Sequence, residues 1–436
     1  MYNTLCSVFI QQLLVDQVYV RLQYILDIAE EMLVAGAEVS RAEESIERMI
    51  SAYGCPFDRV NAFITTSNIQ ATFEDPDGNI ITQIRRVKRA DTNFDRLDYL
   101  NDLSRYICSN TPDLPELREK YLEVMNRPYN APWIRYLSGI MVAGGFSVFF
   151  GGSLFDGFIS AVVSVVIIYL LGYLKRFNIN QMAIIFMTSV VSGILSILLC
   201  SLGLANLDKV LIGEIMLMIP GIAMTNAVRD MLLGDIATGL LRLANALLVA
   251  GAIALGFAAP LALMKGLANL SLINVHVPFF IVPIRSGSLA VVVQIVTAFI
   301  GCIGFALLFN MKKRQVIYSG IGGALAWCIY LFLADLMGGI FLSTLIASVF
   351  IGVYSEIMAK VNKAPATIFF TSVAIALIPG ASLYYAMDSL LEKDMNAASF
   401  NANKALTIAL AISMGIVLVA VINKFRAEIK RGKGNA

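Results

Sequence analysis

One acid, Glu214, interrupts the apolar run 211–219, and Pro220-Gly221 follows one and a half helical turns later. An ionised carboxylate in apolar surroundings is costly unless it is paired or functional, which makes Glu214 the first candidate for a group that takes up and releases a proton. The bland alternative is an acid close to the interface whose head reaches water. Beyond the proline come Thr225, Asn226, Arg229, Asp230 and Asp235. Arg229 suits a substrate carboxylate, and Asp230 or Asp235 suits an ammonium group, with Asp235 also a second proton-coupling candidate. The same residues would equally serve a loop that makes surface ion pairs. Later in the chain Pro379-Gly380 is followed by Ser382, Tyr384 and Tyr385, polar but uncharged. Tyrosines near an interface are commonly helix anchors. The candidate substrate-binding set is thus Pro220, Gly221, Thr225, Asn226, Arg229, Asp230, Pro379, Gly380, Ser382 and Tyr384.

The two prolines belong to a repeat. Met218-Ile219-Pro220-Gly221 is followed by Ala227, Leu232 and Asp235, and Leu377-Ile378-Pro379-Gly380 by Ala386, Leu391 and Asp394, each match 159 positions on (220 to 379, 235 to 394). A proline inside a helix deletes one hydrogen bond and frees a carbonyl. At membrane depth such backbone is tolerated only against protein or a wet cavity. One such break reads as a packing kink; two related by duplication predict a binding site. Glu214 has Val373 as its counterpart, so the acid belongs to one half only. Thr188, Ser189, Thr371 and Ser372 either line a cavity or bond the backbone four residues back. Asp156, Asp335 and Glu356 sit near expected helix ends and read as interfacial.

The elements that must position these groups are mostly spanning helices. Of 436 residues 58% are hydrophobic and only 15% charged, an excess of apolar side chains that calls for lipid as solvent. Ten apolar stretches near the roughly 20 residues needed to cross a bilayer fall at 134–151, 155–174, 181–203, 210–233, 236–262, 287–309, 316–337, 339–359, 365–387 and 402–423. One further helix follows each proline helix, giving two sets of five. An odd number of crossings per copy turns the second copy over, the inverted arrangement common in secondary transporters. Lysines and arginines concentrate on the connections that lie inside if the front of the chain is cytoplasmic, so both termini are expected there.

Residues 1–130 read instead as a small α+β domain. Apolar spacing over 22–53 predicts an amphipathic helix, or a pair broken near Gly36; 59–72 and 79–87 predict a β-hairpin around Asp75-Pro76-Asp77-Gly78; 91–108 and 114–126 are helical. The expected organisation is 1–130 cytoplasmic domain, 131–265 first membrane repeat, 266–286 external connection, and 287–436 second repeat with a basic tail. An amphipathic leading helix is expected at the start, with no cleaved signal. A net charge of +2 gives no field that argues for nucleic acid. The Arg85–Arg89 run suits anionic lipid or intramolecular acids. No phosphate-binding loop G-x-x-x-x-G-K-[ST] and no hydrolase or metalloprotease signature is present, so neither ATP hydrolysis nor a cofactor is expected. Six separated cysteines and the lone His276 predict buried thiols and no metal site.

Gly36-Ala37-Glu38-Val39-Ser40-Arg41-Ala42-Glu43-Glu44-Ser45-Ile46, the strands around 61–87 and the proline-glycine helix with Arg229-Asp230 and Asp235 resemble the threonine/serine exporter family. The likeness spans 22–425 and is to the fused form, in which a half with a cytoplasmic domain and five spans joins a second five-span half. It implies export of threonine and serine, driven by the proton motive force, across the bacterial cytoplasmic membrane. It also leaves succinate or another dicarboxylate as an alternative cargo. A membrane enzyme using the front domain is the reading from a different class. The partners expected are a small amino acid, protons and the lipid bilayer; a homo-oligomer is left open.

Overall fold

The structure is a computed structural model that describes residues 19–54, 59–65, 67–74, 78, 80–87, 91–177, 179–203, 205–218, 220–269 and 287–434. The expected leading helix, the turn residues Asp75 to Asp77, Lys88 and Arg89 of the basic run, most of the external connection, and His276 lie outside the described residues. The chain divides into two compact units. The first is Met1–Tyr129 together with Phe309–Lys312 and Lys363–Thr367; the second is Asn130–Leu308, Lys313–Asn362 and Ile368–Ala436.

In the N-terminal unit, helix α1 (19–34) buries Leu22, Ile25, Leu26, Ala29 and Met32, a 3–4 spacing that lays one stripe on the core. The helical pair foreseen around Gly36 is what forms. Gly36 takes a φ of +104°, a left-handed turn open to glycine at no steric cost, and α2 (Val39–Ala52) follows with Val39, Ala42, Ile46 and Met49 inside. The expected hairpin is a three-strand antiparallel meander, β1 (Val60–Ile64), β2 (Asn68–Glu74) and β3 (Ile80–Arg86) in that order, because the chain already turns once between Ile64 and Asn68. On β2, Ile69, Ala71 and Phe73 point inward and alternate with half-exposed Asn68, Gln70 and Thr72, the period of two that fixes which face is core. Helices α3 (Phe94–Asn110) and α4 (Leu114–Met125) start at Asn93 and Asp113, whose side chains accept from the backbone N–H groups of Arg96 and Glu116.

The two later segments are built into this unit. Phe94 N–H donates to Phe309 O (2.9 Å) and Asp95 N–H to Asn310 O (3.1 Å), and the rings of Phe94 and Phe309 meet edge to face at 5.4 Å. Asn310 Nδ2 donates to Asn93 Oδ1 at 2.9 Å. Lys312 Nζ lies 2.6 Å from Oδ2 of Asp98, which is buried. Burial works to lower the Lys312 pKa, but the Asp98 carboxylate outweighs it and holds the ammonium above its ordinary value. Lys312→Met should therefore cost about 1.5–3 kcal/mol, the worth of a charge-assisted hydrogen bond, at the lower end because the lysine is a third exposed. A raised lysine pKa gives stability that is full below the ordinary lysine value and lost as pH rises through the raised one. Thermal unfolding of the native chain and the variant at pH 7 checks the cost, and equal midpoints would remove the pair from the account.

The second unit is helical in its described residues: α5 (Pro132–Phe149), α6 (Leu154–Leu174), α7 (Gln181–Cys200), α8 (Leu207–Met218), α9 (Gly221–Leu232), α10 (Ile236–Asn269), α11 (Ser288–Leu308), α12 (Lys313–Met337), α13 (Ile340–Asn362), α14 (Ala366–Ala374), α15 (Gly380–Leu391) and α16 (Met395–Gly434). Seven of these are long and apolar enough to cross a membrane, and nine spans result if each bent pair, α8 with α9 and α14 with α15, counts as one. The tenth expected span, 134–151, is the 18-residue helix α5; Trp133, Arg135 and Tyr136 in its first turns lower its apolarity, and it is not among the nine. Helices α6 to α10 begin at 154, 181, 207, 221 and 236, and α12 to α16 at 313, 340, 366, 380 and 395, every start 159 residues after its counterpart. Close helix contacts run through small residues: a Cβ at Gly304 would lie 2.9 Å from Met141 Cβ on α5, and one at Gly144 2.9 Å from Gly157 O on α6.

Candidate transport site

Both proline positions break a helix. The α8–α9 pair bends by 52° and the α14–α15 pair by 50°. Pro220 and Pro379 have almost the same backbone angles, φ −80° with ψ 37° and φ −78° with ψ 49°, and each carbonyl accepts the first bond of the following helix, from Met224 N–H and Leu383 N–H. The far ends match as well. Asp235 N–H bonds Asp230 O and Asp394 N–H bonds Ser389 O, both at 2.9 Å, after a left-handed residue at Gly234 and Lys393. A lysine adopts that conformation at a cost that glycine avoids, so the matching fold at Lys393 follows the repeat rather than local preference.

The two breaks pack on one another. A Cβ at Gly221 would strike the side chain of Ile378, the residue before Pro379, and a Cβ at Gly380 would strike the sulfur of Met216, four residues before Pro220. Glycine is required here by close approach rather than by φ. Helices α9 and α15 each begin at a break, so two N-terminal ends, with their partial positive charge, start where the broken helices touch.

Glu214 lies on α8 and is fully buried. Its two oxygens accept from Ser192 Oγ (2.7 Å) and Ser196 Oγ (2.6 Å), both on α7. Among the described residues no basic group pairs with it. Two hydroxyl donors replace part of the hydration that the carboxyl gives up. One helical turn from Ser192, the Thr188 hydroxyl is buried with no hydrogen-bond partner among the described residues, whereas Ser372 bonds the carbonyls of Ile368 and Phe369.

On α9, Thr225 and Arg229 follow Gly221 at intervals of four and share its face. The Thr225 hydroxyl donates to Gly221 O (3.0 Å), and Ser413 of α16 donates to Thr225 O (3.0 Å). Arg229 is buried, with its guanidinium carbon 5.8 Å from the centre of the Phe370 ring on α14. Asp230 is buried and pairs with Arg242 of α10 at 2.8 Å. Asn226 is half-buried beside them. Asp235 is half-buried where α10 begins, and its repeat partner Asp394 caps α16 by accepting from Asn396 and Ala397 N–H.

On α15, Ser382 and Tyr384 are buried. The Tyr384 hydroxyl points to Asp208 Oδ1 at 3.5 Å, and Lys209 Nζ lies 3.3 Å from the Tyr385 hydroxyl, so the first turn of α8 meets α15 through two polar pairs. Tyr384 also packs with Ile212, Ile215, Val249 and Phe257. The fold thus joins Gly221 with Gly380 across the two breaks and groups Thr225, Arg229 and Asp230 on α9. Sequence reasoning missed Ser192, Ser196, Phe370 and the Asp208–Lys209 pair. Ser189, Ser192 and Ser196 at helical spacing were a usable signal for the first two, since such a stripe lays hydroxyls along one face.

Residues 23–264 match a protein family described as "Putative threonine/serine exporter", and residues 294–422 match one described as "Threonine/Serine exporter, ThrE". A protein of Mycobacterium tuberculosis described as "Probable threonine/serine exporter" is 24% identical over 418 residues, covering 93% of this chain and 77% of that one. A "Threonine/serine exporter" of Corynebacterium glutamicum is 21% identical over 404 residues, covering 90% and 80%. No solved structure matches the chain. The family and these relatives are named for transport rather than catalysis, which sets aside the enzyme reading and agrees with a multi-pass helical protein. With the first family match alone covering more than half of its length, this chain belongs to the threonine/serine exporter family.

Proposed function

We propose that the chain is a secondary transporter that exports threonine, serine and similarly small hydrophilic amino acids across the bacterial cytoplasmic membrane, driven by the proton motive force. The observation that carries the reading is the meeting of two broken helices at Gly221 and Gly380, one of which holds a buried carboxyl tied, among the described residues, to serine hydroxyls alone. A carboxyl without a cation can take up and release a proton without parting an ion pair, which is the role given to Glu214. The amino-acid carboxylate would lie against the starts of α9 and α15, with Arg229 on the path and Asp230, which pairs with Arg242, as the acid for the ammonium group. In this reading α5 to α10 and α11 to α16 are inverted copies of five spans each, carried by the 159-residue interval between helix starts. The excess of lysine and arginine on alternate connections supports a cytoplasmic position for both termini and for residues 1–130.

Efflux of labelled threonine, serine and succinate from proteoliposomes, with and without an imposed pH gradient, tests this. Threonine and serine movement that grows several-fold with the gradient is expected. Movement of succinate alone would transfer the assignment to dicarboxylates, and indifference to the gradient would end the proton coupling.

A further inference from the structure

The two later segments in the N-terminal unit are fastened by different contacts. Phe309–Lys312 is held by two backbone hydrogen bonds, the Phe94–Phe309 ring contact, the Asn93–Asn310 bond and the Asp98–Lys312 ion pair. Its left-handed residue is Asn310 (φ 57°), a type that enters this region readily. Lys363–Thr367 is held by burial of Ala364, Pro365 and Thr367 and by the Thr367 hydroxyl, which donates to Glu38 Oε1 at 2.5 Å. Its left-handed residue is Lys363 (φ 54°), which strains the backbone there.

What the chain does next also differs. Lys312 leads into α12, an unbroken helix of 25 residues. Thr367 is the second residue of α14, which runs through the 3-10 turn Ile375–Leu377 straight to the break at Pro379. A broken helix reorients about its break, and a hydrogen bond on its first turn opposes that movement. In the repeat, Thr367 corresponds to Asp208 at the start of the other broken helix. There the chain supplies its own carboxylate; at Thr367 a carboxylate comes from Glu38 of the N-terminal unit.

We propose that the N-terminal unit holds Phe309–Lys312 as a fixed anchor and Lys363–Thr367 as a releasable latch, and that the Glu38–Thr367 hydrogen bond must part each time the second broken helix reorients. Glu38 and Thr367 are then positioning residues that act on transport through α14. The proposal rests on the chain being a transporter whose broken helices move.

Two measurements on the full chain test it. In a background lacking the six native cysteines, Glu38→Cys with Thr367→Cys and, separately, Asn93→Cys with Asn310→Cys are each joined by a short bis-maleimide. Linking the latch should lower threonine and serine efflux at least tenfold relative to the unlinked protein in matched vesicles, while linking the anchor should leave efflux within twofold. Equal efflux before and after the latch is linked would overturn the proposal. Hydrogen exchange needs no substrate: T367V should speed exchange over 363–377 several-fold and leave 309–312 unchanged. Unaltered exchange over 363–377 would also overturn the latch, even if the efflux reading itself failed because the unlinked protein moved neither amino acid.

Discussion

Glu214→Gln should lower gradient-driven efflux of threonine and serine by roughly tenfold or more, the loss expected when a proton-transferring group is removed, while the protein still folds. Glutamine has the shape of glutamic acid and can keep hydrogen bonds to Ser192 and Ser196, because a serine hydroxyl donates to the amide oxygen or accepts from the amide nitrogen. What it cannot do is ionise. The change therefore separates proton coupling from packing. The measurement is efflux from proteoliposomes with an imposed pH gradient, read beside thermal unfolding of the same purified variant. Gradient-driven transport at the native rate in the variant would take the proton site away from Glu214.

A large effect on the stability of the helical unit is expected next door. A Cβ at Gly213 would strike Ala143 O and Ser160 Oγ and come within 2.9 Å of Ser147 Cβ. A backbone carbonyl of α5 cannot swing aside as a long side chain can, so Gly213→Ala must push α8 away from α5 and α6. Overpacking of this kind costs about 1–3 kcal/mol, and the shift also moves the neighbouring Glu214 relative to its two serines. Gly172 on α6 is the control: nothing lies within 4 Å of its would-be Cβ, and Gly172→Ala should be neutral or stabilising by up to about 1 kcal/mol through helix propensity. Thermal unfolding in detergent micelles compares the two. A Gly213→Ala protein that melts with the native one would mean that α8 is less tightly held than these contacts imply.

Much of this was legible in the residues because it depends on local pattern. Each proline with the glycine after it announced a break, since a missing N–H and a fixed φ act within one turn of the chain. The constant interval between the two breaks foretold the interval between helix starts. The helices on either side of Gly36, one of the two alternatives there, and the helix over 114–126 followed from the spacing of apolar residues. The turn that brings Thr65 N–H to Asn68 O between β1 and β2 was not anticipated, because threonine and serine read as strand as readily as turn. The α5 helix is formed where an apolar stretch was expected, yet its polar opening leaves it short of the other spans.

The sequence by itself determined that the chain is a family member built of apolar helices, that two of them are broken, and that one acid stands among apolar neighbours. Only the tertiary structure decided which side chains meet across those helices: Ser192 and Ser196 at Glu214, Ile378 at Gly221, Met216 at Gly380, and Glu38 at Thr367. The physical reason is that a helix facing lipid and a helix facing protein are equally apolar, so hydropathy names the spans and is silent about their partners. Contacts between positions more than a hundred residues apart, such as Ser413 with Thr225, are set by packing that no local pattern encodes.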